Sequence, residues 1–119
     1  MADRVIENIT PILSVASLDA SLEHYTGVLG FGLRWRGGSF ASVGRDDHSI
    51  YLCEDGQGQS GTWLWIGAED LDALHAEYVA GGAQIIMPPT EFPHAREFRV
   101  EDPDGHVLRI GGPPSGEED

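Results

Sequence analysis

Two stretches decide the fold of this chain, because SLDASLEHY (residues 17–25) is repeated as DLDALHAEY (residues 70–78), 53 positions later. In each copy the apolar residues, from the first leucine to the final tyrosine, have the spacing of one face of an amphipathic helix. Ser17 and Asp70 stand where helix N-caps are expected, and glycines follow both copies at positions typical of C-terminal caps. Similarity at a fixed offset predicts a duplicated structural unit.

Segments typical of β-strands surround each helix, since they are rich in β-branched and aromatic residues and are bounded by Gly and Asp. The glycine-rich stretch GQGQSG (residues 56–61) is expected to join the two units. The predicted fold class is α+β, with the order βαβββ in module 1 (about residues 8–55) and again in module 2 (about 61–112). The predicted strands are Ile9–Val15, Gly32–Arg36, Ser39–Val43 and Ser49–Cys53, then Thr62–Ile66, Gln84–Met87, Arg96–Glu101 and His106–Ile110.

The charge balance restricts the partners. Twenty Asp and Glu against seven Lys and Arg give the 119 residues a formal net charge of −13. Such a surface repels phosphate backbones, which argues against nucleic-acid binding, and it attracts cationic ligands. Acidity that serves solubility alone is an equal alternative. Part of the charge lies in PPSGEED (residues 113–119), an acidic tail that is expected to be disordered outside a single domain, residues 1–112.

The cellular compartment can be predicted from the sequence. It has no run of 18 apolar residues, so we expect no membrane span, and its charged N-terminus does not resemble a secretory signal. A single cysteine, Cys53, excludes an internal disulfide and favours the cytoplasm.

The tryptophans can be assigned to faces from turns and alternation. Gly37-Gly38 suits a two-residue hairpin turn that pairs Arg36 with Ser39 and Trp35 with Phe40, which brings the two rings together on one face. This pair is interpreted either as part of a ligand site or as ordinary core packing. Trp63 and Trp65 are expected to pack under the helices.

The turn and strand EDPDGHVLRI (residues 101–110) place Leu108 and Ile110 on a core face and Arg109 on the opposite face. Arg109 is interpreted either as the partner of Glu97 in an ion pair or as a donor to an anionic or carbonyl group of a ligand.

Three stretches in this order and spacing resemble the vicinal oxygen chelate superfamily, which includes glyoxalase I, ring-cleaving dioxygenases and bleomycin-resistance proteins. They are ITPILSVASLDASLEHYTGVLGFGLRWR (residues 9–36), TWLWIGAEDLDALHAEYVAGGAQIIMPP (62–89) and REFRVEDPDGHVLRI (96–110). The resemblance covers about residues 8–112. It implies two βαβββ modules that form a curved mixed-sheet cup with helices on the outer face.

Enzymes of this superfamily hold a divalent metal in the cup with His and Glu or Gln side chains. The matching positions here are Thr10, Tyr51, Thr62 and Arg109. Hydroxyls and a neutral phenol are poor ligands for such metals, and a permanent guanidinium cation repels them. We therefore expect neither a metal nor another cofactor.

The sequence is most similar to the bleomycin-resistance branch, whose members are small, acidic, metal-free homodimers that sequester a cationic antibiotic. The resemblance implies the same function here, although the branch commonly has a Trp-Gly pair near Pro93-His94. One alternative is a lyase, isomerase or thiol transferase with an atypical metal site or metal-free acid–base chemistry through His94, Tyr51 or Glu97. A further alternative is a domain that functions through its contacts with another protein or with a second copy of itself.

The expected ligand-binding residues are Trp35, Phe40, Tyr51, Thr62, His94, Glu97 and Arg109. They lie on an expected inner face that also includes Thr10, Ile12, Cys53, Leu64 and Arg99.

Overall fold

The computed structural model describes residues 6–114 and contains both predicted modules. Module 1 consists of β1 (Ile12–Ser14), α1 (Leu18–Glu23) with a π-helical continuation (His24–Val28), β2 (Gly32–Gly37), β3 (Phe40–Arg45) and β4 (His48–Cys53). Module 2 consists of β5 (Trp63–Gly67), α2 (Leu71–Gly81), β6 (Gln84–Phe92), β7 (Ala95–Glu101) and β8 (Val107–Gly112). None of the helices in this part of the chain is long and apolar enough to cross a membrane. Most of the predicted acidic tail, residues 115–119, lies outside the described residues.

The local signals at the helix ends operate as predicted. The Ser17 hydroxyl accepts a hydrogen bond from the backbone N–H of Ala20 at 3.1 Å, and the Asp70 carboxylate accepts one from Ala73 at 3.1 Å. Each cap satisfies an N–H that the first helical turn leaves without a partner. Helix α2 ends at Gly81 and is capped by Gly82, whose φ of 87° is the left-handed conformation that glycine adopts without strain.

Each module forms a four-stranded mixed sheet, and the two sheets have equivalent orders. Sheet 1 has the order β1-β4-β3-β2 and sheet 2 has β5-β8-β7-β6. In both sheets the strand that precedes the helix pairs in parallel with the last strand of its module, while the remaining pairs are antiparallel. The α+β class and the βαβββ duplication are therefore confirmed. Strand β1 is shorter than predicted and begins after Pro11, which has no N–H to donate.

The register of the first hairpin differs from the prediction. Gly37 pairs with Phe40 and Trp35 pairs with Ser42, so the turn residues are Gly38 and Ser39 rather than Gly37 and Gly38. Gly38 has a φ of +61°, and it therefore takes the first turn position that requires a left-handed residue. Trp35 and Phe40 become diagonal neighbours on one face, and the expected contact between their rings persists.

The faces assigned to β5 were wrong. Leu64 pairs with Leu108 and Ile66 pairs with Ile110, so these leucines and isoleucines pack against the core. Since side chains alternate along a strand, Trp63 and Trp65 lie on the other face, where they are 55% and 52% exposed. The tryptophans thus belong to the open face of sheet 2, and Leu64 does not.

The hydrophobic core lies between the helices and the covered faces of both sheets. Tyr25 from module 1 and Tyr78 and Phe98 from module 2 are its largest rings. Tyr25 is also joined to module 2 by a hydrogen bond, because its hydroxyl donates to the buried carboxylate of Asp102 at 2.8 Å. Burial raises the pKa of Tyr25 above its usual range, and the Asp102 carboxylate raises it further, so this hydroxyl remains a donor.

His106, which follows the turn after β7, provides a second connection between the modules. Its ring is fully buried. Its Nδ1 accepts from the backbone N–H of Thr62 at 3.0 Å, and its Nε2 lies 2.7 Å from the carbonyl oxygen of Ser14 in module 1. Because Nδ1 is an acceptor, Nε2 carries the proton and donates to that carbonyl. These bonds fix module 1 against the turn at the start of β8.

Candidate functional site

The open face of sheet 1 carries a cluster of three rings, which we call the aromatic face: Trp35, Phe40 and Tyr51. Strand register creates it, because Trp35 and Tyr51 both pair with Ser42, and Phe40 lies two positions from Ser42 on the same side. The ring centroids are 5.3–5.8 Å apart, and the Trp35 and Phe40 rings are nearly parallel at 8°. Trp35 is 47% exposed. The cluster is therefore an open stacking surface.

An acidic group lies at the edge of the aromatic face. The Asp55 carboxylate accepts hydrogen bonds from the Cys53 thiol at 2.7 Å and from the Ser39 hydroxyl at 3.0 Å. These two bonds hold the pKa of Asp55 below its usual range, and the Cys53 bond has the larger effect. Since Cys53 pairs directly with Phe40, a fixed negative charge lies beside the rings. A cation that stacks on the rings has this carboxylate within reach.

The open face of sheet 2, which we call the Trp–Arg face, is built from alternating positions of β5, β7 and β8: Trp63, Trp65, Glu97, Arg99 and Arg109. The guanidinium carbon of Arg99 lies 5.4 Å from the centre of the Trp63 ring, and that of Arg109 lies 5.4 Å from the Trp65 ring. Both distances fit cation–π contact. The face therefore offers aromatic surface and positive charge together.

Glu97 holds both arginines. Arg109 donates to it through Nη2 at 2.7 Å and through Nε at 3.0 Å, and Arg99 donates through Nε at 2.8 Å. The Arg109 bonds, followed by the Arg99 bond, lower the pKa of Glu97 to about 2, against the opposing effect of its burial. The Arg109–Glu97 ion pair that was one of the two sequence interpretations is thus present.

A glycine makes room for the Trp65 ring beside β8. A Cβ atom added to Gly111 would overlap the Trp65 ring. Gly111 lies on the same face as Arg109, two residues away. A larger residue at this position would displace the indole ring from its place beside Arg109.

The positions that match metal ligands in the superfamily do not fit a metal ion here. Arg109 is a cation already paired with Glu97, and Tyr51 belongs to the aromatic face. The Thr62 hydroxyl donates to the Gln59 carbonyl and the Thr10 hydroxyl donates to Asn8. Within residues 6–114, no three His, Cys, Asp or Glu side chains form a group able to hold a metal ion.

The other predicted site residues lie apart from the two faces. His94 occupies the two-residue turn between β6 and β7 and is exposed. Thr62 immediately precedes β5, and its N–H is used by the buried His106 ring. The expected inner face is thus divided: Trp35, Phe40 and Tyr51 cluster on sheet 1, whereas Glu97, Arg99 and Arg109 cluster on sheet 2.

Two features of the site were missed from the sequence. The contacts of Trp63 and Trp65 with the arginines follow from the pairing of β5 with β8. The signal in the sequence was the apolar alternation of Leu64 and Ile66, which matches that of Leu108 and Ile110 on the core face of β8. The second feature is a cleft of about 940 Å³ between the modules, lined by β5, α2 and the β3–β4 turn. An ion pair from Arg45 to Glu77, at 2.8 Å, joins the two modules at this cleft. The cleft shares only Trp65 with the Trp–Arg face, and it contains none of the aromatic face.

The chain thus consists of two βαβββ modules, each with an open sheet face that carries aromatic rings. The Glyoxalase/Bleomycin resistance protein/Dioxygenase superfamily model matches residues 6–110, and the chain belongs to this superfamily. No curated protein matches the chain.

Solved structures share the fold. TioX from Micromonospora sp. ML1 is similar with a TM-score of 0.82 and 19% identity, covering 89% of this chain and 98% of that one. TnmS3, an antibiotic binding protein from Streptomyces sp. CB03234, has a TM-score of 0.79 and 21% identity over 93% and 99% of the two chains. The bleomycin-binding protein from Streptomyces verticillus, complexed with copper(II)-bleomycin, has a TM-score of 0.76 and 27% identity over 92% and 97%.

Proposed function

We propose that this chain is a metal-free binding protein that sequesters a cationic, partly aromatic small molecule, such as a bleomycin-like antibiotic, in the groove of a homodimer. In this proposal residues 1–112 act as one domain, and the outcome for a producing or exposed cell is antibiotic resistance. The observation that carries the proposal is the pair of open, ring-bearing faces, one on each sheet.

Both faces are open to solvent, which supports a groove that is completed by a second copy of the chain. The chain is flat, with extents of 49 × 48 × 23 Å and a radius of gyration of 15.4 Å, whereas a compact domain of this length has about 13 Å. Three tryptophans near half exposure are unusual for a monomer surface. A symmetric dimer can set the aromatic face of one copy opposite the Trp–Arg face of the other.

The charge distribution supports a cationic ligand. The net charge of −13 attracts cations over distance, and the Asp55 carboxylate lies beside Phe40 to hold one at short range. Stacking on Trp35 and cation–π contact then favour a ligand that is both aromatic and positive. Neither nucleic acid nor a membrane is proposed as a partner. The lone Cys53 supports a cytoplasmic location.

Two of the three residues named for metal-free acid–base chemistry, Glu97 and His94, are poorly placed for it. Glu97 is a carboxylate with a pKa of about 2, which is a weak base at neutral pH. His94 lies at a solvent-exposed turn, apart from both faces.

The test is a titration with metal-free bleomycin followed by tryptophan fluorescence, at low salt and again at higher salt. We expect saturable quenching that weakens with salt. The Trp35→Ala variant should bind roughly tenfold more weakly, since it removes a stacking ring. Val79→Ala is the matched control, because Val79 is a comparably exposed apolar residue on α2. Binding that is insensitive to both salt and Trp35→Ala would refute the proposal.

A further inference from the structure

The Trp–Arg face carries two arginines that pair with a single carboxylate. Arg99 and Arg109 are directly opposite each other on β7 and β8, and like charges in this arrangement repel. Among residues 6–114, Glu97 is the carboxylate within ion-pair distance of either of them. The two arginines therefore share Glu97, whereas Glu101, two residues from Arg99 on the same face, accepts a hydrogen bond from Gln84.

Both guanidinium groups also retain free donors. Arg99 uses its Nε alone for Glu97, and Arg109 uses Nε and one terminal nitrogen. The remaining N–H groups project from arginines whose side chains are 26% and 36% exposed. Since Glu97 is itself only 1% exposed, it fixes the arginines from below and leaves their outer edges accessible.

We infer that the Trp–Arg face binds the anionic substituent of a planar aromatic ligand, a carboxylate or a group of similar charge and shape. The ring stacks on Trp63 or Trp65, and the substituent accepts hydrogen bonds from Arg99 and Arg109. This inference rests on the proposed function and narrows it: the ligand is amphoteric, with its cation on the aromatic face beside Asp55. The remaining N–H groups of the two arginines favour this occupant, because they need an acceptor on the ligand.

The test uses three pyrene probes that share one ring system and differ in charge: pyrene-1-carboxylate, pyrene-1-carboxamide and pyrene-1-methylammonium. Their binding is followed by fluorescence anisotropy, excited outside the tryptophan band. We expect the full-length protein to bind the carboxylate about tenfold more tightly than the carboxamide, since charge-assisted hydrogen bonds replace neutral ones. Arg99→Gln should abolish most of this preference, because the carboxylate loses more from the removal of a charged donor than the carboxamide does.

Arg96→Gln is the matched control. Arg96 lies on the same strand as Arg99 and its side chain is equally exposed, at 26%, but it points to the helix side and pairs with Asp72. We expect this variant to keep the carboxylate preference. Arg109→Gln should act as Arg99→Gln does. If the Arg109→Gln variant fails to fold, two other measurements show whether the arginines cause the carboxylate preference. They are the effect of Arg99→Gln and the salt dependence of the preference in the wild-type protein.

The outcomes separate the inference from the proposed function. A carboxamide that binds as tightly as the carboxylate, or a preference that survives Arg99→Gln, overturns the inference. If the ammonium probe still binds in that case, the proposed function stands without it. Failure of all three probes to bind also overturns the inference, and the proposed function is then decided by the bleomycin titration alone.

Discussion

Replacing Tyr25 with Phe removes one hydroxyl group from the contact between the modules without changing the shape of the side chain. Tyr25 is fully buried and Asp102 is 3% exposed. The hydroxyl donates to Oδ2 of Asp102, while Oδ1 accepts from the backbone N–H groups of Asp104 and His106. The variant therefore leaves one oxygen of a buried carboxylate without its donor.

The expected cost follows from these contacts. A hydrogen bond to a charged group contributes about 1.5–3 kcal/mol, and an acceptor left unsatisfied in the interior adds to the loss. No cavity forms, because Phe fills the same space as Tyr25. We expect Tyr25→Phe to lower the free energy of unfolding by about 2–3 kcal/mol.

Urea unfolding followed by circular dichroism measures this loss as a shift of the midpoint at constant slope. Tyr51→Phe is the control, because the Tyr51 hydroxyl makes no hydrogen bond within the described residues, and its loss should change stability by less than about 0.5 kcal/mol. A Tyr25→Phe variant that loses no more than Tyr51→Phe would refute the account of how the modules are joined.

Three further predictions concern the open faces and their surroundings. Gly111→Ala should destabilise the protein by about 1–3 kcal/mol, because its Cβ overlaps the Trp65 ring, and this cost should vanish in a Trp65→Ala background, as thermal unfolding of the four proteins will show. Glu97 has a folded pKa below its unfolded value, so its contribution is complete above the usual carboxyl range and disappears as the pH falls toward about 2. The stability advantage of wild type over Glu97→Gln should therefore shrink on acidification, and an advantage that grows would contradict the ion-pair geometry. The Cys53 thiol is buried, so it should react with a disulfide reagent only after unfolding, and rapid labelling of the native protein would contradict its placement.

The parts of the fold that were predicted correctly depend on signals within one segment. The caps at Ser17 and Asp70 and the helical spacing behind them are local, so they identify the duplicated unit without knowledge of the partners. The βαβββ order follows from the punctuation between strands. These features require no information on how distant strands pair.

The errors concern the pairing of segments. The hairpin turn shifted by one residue because both Gly37 and Gly38 tolerate a left-handed conformation, and the choice between them depends on cross-strand packing. Trp63 and Trp65 were assigned to the core because they alternate with Thr62, which was expected on the inner face. The parallel register with β8 instead gives the core positions to Leu64 and Ile66.

The candidate site was predicted in part for the same reason. Trp35 and Phe40 are close in sequence, so their contact could be predicted from one hairpin. The Arg99–Trp63 contact joins β7 to β5, and its partners meet only because β8 lies between those strands. No local pattern contains this information.

A mixing experiment tests most directly whether the binding groove forms between two copies. Trp35→Ala disables the aromatic face and Trp65→Ala disables the Trp–Arg face, so each variant alone should bind metal-free bleomycin poorly. After the two are unfolded together at equal amounts and refolded, half of the dimers contain one copy of each, and one of their two grooves has both faces intact. We expect recovery of about a quarter of the wild-type binding sites by calorimetric titration. Recovery of none would show that each chain forms its site alone and would contradict the account.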